Sequence, residues 1–197
     1  MNGPTFSDLQ FSGTPFPHVR IPRILSCVDA DAILTWLEEK APWKLRIEDF
    51  YEQDEFSLLT TDLGPVVMPF VQQPFIEPIR EAIRDAFALQ DTPMLIDVNA
   101  HRLRPGQTIR IHNDFIDGEE THRLLIQLNH GWKVENGGLL MLFNGAAPEA
   151  VSALILPKHG SAFAFEISPR SFHAVSQIKA GERFTLVYSF RATLLKT

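Results

Sequence analysis

The sequence predicts a mainly β domain with α-helices ahead of it, its strands arranged as a double-sheet jelly roll or a barrel. Three observations predict this. From residue 93 onward, short alternating or apolar runs recur between turn residues at even intervals. Ahead of them, 29–41 and 74–89 repeat apolar residues at helical spacing instead. The 197 residues, 45% hydrophobic and 21% charged, suit one domain with a sizeable core and are too few for two comfortable ones.

Residues 1–17, rich in Gly, Pro, Ser and Thr, read as an arm, and 18–197 as a single domain. Pro15-Phe16-Pro17-His18-Val19-Arg20-Ile21-Pro22 reads as an edge strand, because proline cannot donate to a ladder. His18 there is structural or exposed. From Asp29, the residues Ala32, Ile33, Trp36 and Leu37 follow helical spacing until Ala41-Pro42. Trp36 and Trp43 read as core anchors. Residues 45–71 mix acids with Phe50, Tyr51 and Phe56, consistent with two strands and a loop, or with a lid. Pro74 to Leu89 places Phe75, Ile76, Ile79, Ile83 and Phe87 on one stripe and charges mostly on the other, so helical support spans about 26–90.

Beyond residue 93 the expected strands are Met94–Leu103, Gln107–Ile111, Arg123–Leu128, Leu139–Phe143, Ala150–Leu156, Ser161–Ile167 and Arg183–Ala192. Turn residues separate them, including Arg104-Pro105-Gly106, Asn136-Gly137-Gly138 and Lys179-Ala180-Gly181. The two helices would pack on the outside of one sheet.

Composition limits the function. A net charge of −6 gives no footprint for nucleic acid or an anionic membrane. No apolar run approaches the ~20 residues of a membrane span. The single cysteine, Cys27, cannot form an intrachain disulfide and reads as a buried small hydrophobe; with no leader pattern, a cytoplasmic location is expected.

The chemistry centres on Arg110-Ile111-His112-Asn113-Asp114-Phe115. His112 and Asp114 are two apart, so on an extended segment both side chains leave one face. An imidazole beside a carboxylate suits a divalent metal, and a third ligand would complete a two-His, one-carboxylate face. Downstream, His173 lies in Pro169-Arg170-Ser171-Phe172-His173, and Arg183 follows ten positions later at the start of the last strand. A strand, turn and strand between them can return the Arg close to the His in an antiparallel pair.

In this order HxD, distal His and Arg resemble the Fe(II)/2-oxoglutarate-dependent dioxygenase superfamily, in its prolyl 4-hydroxylase-like group. Arg102-Leu103-Arg104-Pro105-Gly106-Gln107 is similar to the family's aromatic-x-Pro-Gly approach. Leu125-Ile126-Gln127-Leu128-Asn129 resembles its YLN-like strand, Asn136-Gly137-Gly138 its Gly-Gly strand, and Phe163–Phe165 the strand leading to the distal His. The likeness covers about 93–193 well, and the first half loosely.

The resemblance implies a double-stranded β-helix (jelly roll) core over about 93–193. It implies Fe(II) held by His112, Asp114 and His173, with 2-oxoglutarate clamped by Arg183 and O2 as the other co-substrate; ascorbate is a possible reductant. The planar fork of Arg suits a carboxylate better than Lys does. Gln127 stands where many members carry Tyr and is a candidate donor to the same carboxylate. His101 either points into the cavity or is a core histidine. Asn99, Arg102 and Arg104 are candidates for substrate contact, or solvated. His122 and His130 read as surface residues, and His159 as lying in a turn.

With Asp114 present, hydroxylation is expected rather than halogenation. The implied substrate is an amino-acid side chain, free or in a peptide, on analogy alone. Two other readings stand beside it: a non-catalytic jelly-roll binding module, and a cupin-like metalloenzyme that uses no 2-oxo acid.

Overall fold

A computed structural model of the chain describes residues 3–193. In order its elements are β1 (Gln10–Ser12), β2 (His18–Ile21), α1 (Cys27–Glu39), β3 (Lys44–Glu48), β4 (Tyr51–Ser57), α2 (Gly64–Val67), α3 (Gln73–Ala86), β5 (Met94–Leu103), β6 (Ile109–His112), β7 (His122–Gln127), β8 (Leu140–Phe143), β9 (Val151–Ile155), β10 (Ala162–Glu166), β11 (His173–Val175) and β12 (Arg183–Arg191). No described helix is long and apolar enough to cross a membrane.

The strands form one curled antiparallel sheet in the order β1-β2-β10-β7-β12-β5-β4-β6-β11-β8-β9, with β3 on β4. The curl gives the sheet two unlike faces, and strand alternation assigns residues to them. On β5, β7 and β12, Val98, Ala100, Leu124, Ile126, Leu186, Tyr188 and Phe190 face the main core. Asn99, His101, Arg123, Leu125, Arg183, Thr185, Val187 and Ser189 from the same strands line a cavity on the other face.

The main core also takes in Ala30, Ile33, Leu34, Trp36 and Leu37 of α1 and Phe75, Ile79 and Ile83 of α3. Ser26 caps α1 by accepting from the Asp29 amide at 3.1 Å. Proline at the start of α3 removes an amide that has no helical acceptor there.

Four sequence expectations need correction. The Pro-rich strand is not at an edge: β2 pairs with both β1 and β10, and its prolines flank the paired residues. Three residues of the arm are β1 itself. Cys27 is exposed, because it begins α1 one turn before the buried residues start at Ala30. His122 is buried, since it shares the face of β7 that carries Leu124 and Ile126. His18 is buried too, and His130 is exposed. The 45–71 region resolves into the β3–β4 hairpin, α2 and a 3-10 turn over Met68–Val71.

Candidate metal and co-substrate site

β6 and β11 are neighbours in the sheet, with His112 paired directly opposite His173. Their rings lie 4.3 Å apart, centroid to centroid. β6 stops at His112, and Asp114 turns back with φ +55°. The HxD segment is therefore bent rather than extended, in a conformation that Asp tolerates better than most residues. The bend brings Asp114 Oδ1 to 3.4 Å from His112 Nε2, and Oδ2 to 3.2 Å from His173 Nε2. Ligand atoms bonded at about 2.1 Å to one ion lie about 3 Å apart, so this spacing suits a shared metal.

Each imidazole is oriented the same way. His112 Nδ1 lies 2.8 Å from the Arg110 carbonyl and His173 Nδ1 2.8 Å from the Ser171 carbonyl. Each Nδ1 is thus engaged by a carbonyl, and each Nε2 is turned inward toward Asp114. Asn113 Nδ2 donates to the Pro169 carbonyl, and Ser171 Oγ to the Asn113 carbonyl, so the two ligand-bearing loops are tied together. Phe50 stacks on His112 at 4.4 Å, and Phe165 meets the His173 ring edge-on at 4.9 Å.

Arg123 is the site residue that sequence reasoning missed. Its guanidinium contacts Asp114 Oδ2 at 2.6 Å and forks onto Glu120 at 2.6 and 3.0 Å. Burial would raise the Asp114 pKa, but Arg123 and the two imidazoles outweigh it and hold the carboxyl well below its usual range. The alternation that puts Leu125 on the cavity side could have found Arg123.

Arg183 shares the cavity, though not by the expected route. β11 pairs with β6 and β8, whereas β12 pairs with β5 and β7. His173 and Arg183 therefore do not sit on adjacent strands. They meet because the sheet curls, and both line a cavity of about 280 Å³. Arg183 is 4% exposed, and its Nε is buried without a hydrogen-bond partner among the described residues. Burial alone pushes its pKa down to about 10.

The other predicted residues divide by strand face. Asn99 and His101 line the cavity. Gln53 Nε2 lies 3.3 Å from His101 Nδ1; burial, then Arg123 and Arg183, push the His101 pKa down to about 3, so the ring is neutral. Gln127 lies behind Thr185, whose hydroxyl donates to its Oε1 at 3.1 Å, and it is not among the lining residues. Arg102 and Arg104 lie off the cavity. Arg102 points to the opposite face from His101, over Trp43, and both arginines pair with Asp54, at 3.2 and 2.8 Å.

Residues 98–191 match the sequence profile of the 2OG-Fe(II) oxygenase superfamily. That segment belongs to the superfamily. No curated protein matches the chain by sequence. Among solved structures, the chain is similar to a Pseudomonas putida prolyl-4-hydroxylase, with 19% identity over 90% of this chain and 93% of that one, at a TM-score of 0.71. A viral collagen prolyl hydroxylase from Paramecium bursaria Chlorella virus-1, in a 2-oxoglutarate complex, matches with 18% identity over 89% and 96%, at 0.67. A Trichoplax adhaerens prolyl hydroxylase, in complex with a hypoxia-inducible-factor peptide, matches with 12% identity over 88% and 83%, at 0.69.

An oxygenase of this superfamily needs Fe(II), 2-oxoglutarate and O2. The side chains present fit them. Two inward-facing imidazole nitrogens and one ionised carboxylate oxygen suit Fe(II) and leave the rest of its coordination sphere open. Arg183, a buried cation with no anionic partner among the described residues, fits a dicarboxylate.

Proposed function

We propose that this oxygenase hydroxylates an unactivated C–H bond on an amino-acid side chain, free or within a peptide. The observation that carries the reading is the convergence of His112, Asp114, His173 and Arg183, which has no ion-pair partner among the described residues, on one cavity. When bound, Fe(II) with O2 and 2-oxoglutarate supplies the oxidising power, and 2-oxoglutarate leaves as succinate and CO2.

The protein's part is positional. His112 and His173 hold the metal through Nε2, their rings fixed by carbonyls two residues back. Asp114 is the anionic ligand, kept ionised by Arg123. Arg183 grips the far carboxylate of 2-oxoglutarate, which replaces the solvation its guanidinium lost on folding. Phe50, Phe165, Leu125 and Leu140 give the cavity apolar walls that exclude water. The polar rim of Arg46, Gln53, Glu55 and Asn99 suits the amide, ammonium and carboxylate groups around an amino-acid side chain. The prolyl hydroxylases it resembles support that substrate class. The β3–β4 hairpin carries Phe50 and Tyr51 over the mouth and serves as the substrate cover. Behind the cavity wall, α1 and α3 act as the stiffening layer.

The test is mass spectrometry of amino acids and peptides incubated with Fe(II), 2-oxoglutarate and ascorbate. A product heavier by one oxygen, formed with stoichiometric succinate, is expected. Asp114→Ala should abolish both products, and turnover retained in that variant overturns the ligand set.

A further inference from the structure

Asp31, His130 and His159 come from three separate segments: the first part of α1, the loop after β7 and the turn before β10. They lie in a different part of the fold from the cavity, and no step of the proposed reaction uses them. Asp31 Oδ1 is 3.1 Å from His159 Nε2 and 3.6 Å from His130 Nδ1, and the three atoms all lie within 4.8 Å of one another. A tetrahedral Zn(II) with N and O ligands at about 2.0–2.1 Å sets its ligand atoms roughly 3.4 Å apart. The two measured separations fall on either side of that value.

The backbone beneath the cluster is fixed. Gly160, next to His159, accepts from the Ile24 amide at 2.8 Å and the Leu25 amide at 3.2 Å, and donates to the Gln127 carbonyl at 2.8 Å. Asn129, next to His130, donates to the Pro157 and Phe184 carbonyls and accepts from the Phe184 amide at 2.7 Å. Asp31 is held by a helix whose start is capped by Ser26. A ligand set on pinned backbone loses little freedom when an ion binds. Asp31 and His130 are exposed, so an ion reaches them from solvent.

We infer that Asp31, His130 and His159 form a second metal site of the Zn(II) class. Water completes the coordination, and the ion ties α1 to the loops that bracket β7 and β10. Two imidazoles and one carboxylate favour Zn(II), Ni(II) or Cu(II) over hard cations such as Mg(II). Because its three ligands come from three separate segments, the role of the ion is to staple the fold.

The test is Co(II) and Zn(II) titration of the full chain, read by calorimetry and by the visible d–d spectrum of Co(II). Two equivalents are expected for the wild type. His112→Ala combined with Asp114→Ala removes the cavity site and should leave one. In that background, Asp31→Asn and His130→Ala, both at exposed positions, should each weaken the remaining equivalent at least tenfold. They should also cancel the rise in Tm that Zn(II) produces. In the otherwise wild-type chain, neither substitution should alter oxygenase turnover. Unchanged affinity and Tm response in both variants overturns the site, whatever becomes of the cavity assignment, because the readout does not use activity.

Discussion

Arg183 is buried and Arg123 half-buried, and their surroundings predict opposite behaviour. Arg123 has its anions built in, Asp114 and Glu120, and these hold its pKa above the usual value despite burial. Arg183 has none among the described residues, and burial alone acts on it. On the proposed role, Arg183→Leu should therefore weaken 2-oxoglutarate binding by about 100-fold or more, since it would delete a two-pronged charge-assisted contact of roughly 3 kcal/mol. Its Fe(II) affinity should hardly change. Arg123→Gln should do the reverse. It leaves two half-buried carboxylates without their cation, costing roughly 1–3 kcal/mol of stability, and weakens metal binding about 10–100-fold. Anaerobic titrations of metal, then of 2-oxoglutarate through its charge-transfer band, separate the two. If both variants lose the same affinity, the division of labour is wrong.

Among the elements, the turn ahead of β8 holds Arg183 in place. Gly137 and Gly138 have φ of +73° and +64°. A Cβ on Gly138 would stand 2.6 Å from Ile178 Cδ1 and 3.0 Å from Arg183 Cδ, whereas one on Gly137 would meet the Gln177 carbonyl oxygen at 2.0 Å. Gly138→Ala should therefore lower stability by about 1–3 kcal/mol and push the Arg183 stem aside. The KM for 2-oxoglutarate should rise several-fold, with a smaller change in kcat. Gly145→Ala, with open space around its Cβ, is the control. A fall in Tm without a change in KM would confine the turn to a structural role. The Asn-Gly-Gly signal was legible as a turn, but its hold on a distant guanidinium was not. Strand faces were legible in part: period two separates Asn99 and His101 from Arg102, and applying it would have removed Arg102 from the substrate candidates. The partners of β11 and β12 were not legible, because sheet order depends on pairings between residues far apart in sequence. The bend at Asp114 escaped for a related reason, since the loop ties that impose it, Asn113 to Pro169 and Ser171 to Asn113, are long-range.

For the whole molecule, the turn spacing beyond residue 93 conveyed a β-rich fold because that signal is local, whereas the burial of polar side chains arises only when the sheet curls. His122 shows what such burial does to stability. It lies inside, edge-on to Phe87 at 4.8 Å with Nδ1 2.9 Å from Thr121 Oγ1, while its Nε2 is buried without a partner among the described residues. Burial pushes its pKa down to about 4. In the unfolded chain the ring titrates near 6.5, so above that pH neither state takes up the proton and His122 leaves stability unchanged. As pH falls from 6.5 toward 4, the unfolded chain binds the proton and the native one does not, so stability is lost across that window and levels off below it. For His122 alone the loss at pH 4.5 is on the order of 2.5 kcal/mol. Burial, aided by Arg123 and Arg183, drives His101 the same way. His122→Phe keeps the contact with Phe87 and cannot take up a proton, and Thr121 Oγ1 can still donate to the Phe190 carbonyl. Urea unfolding of the metal-free protein at pH 7.5 and 4.5 should show the variant losing about 2–3 kcal/mol less than the wild type between the two values. Parallel losses would mean that His122 is already neutral in the unfolded chain or protonated in the native one, and the acid sensitivity would then have to come from the histidines and carboxylate around the metal site.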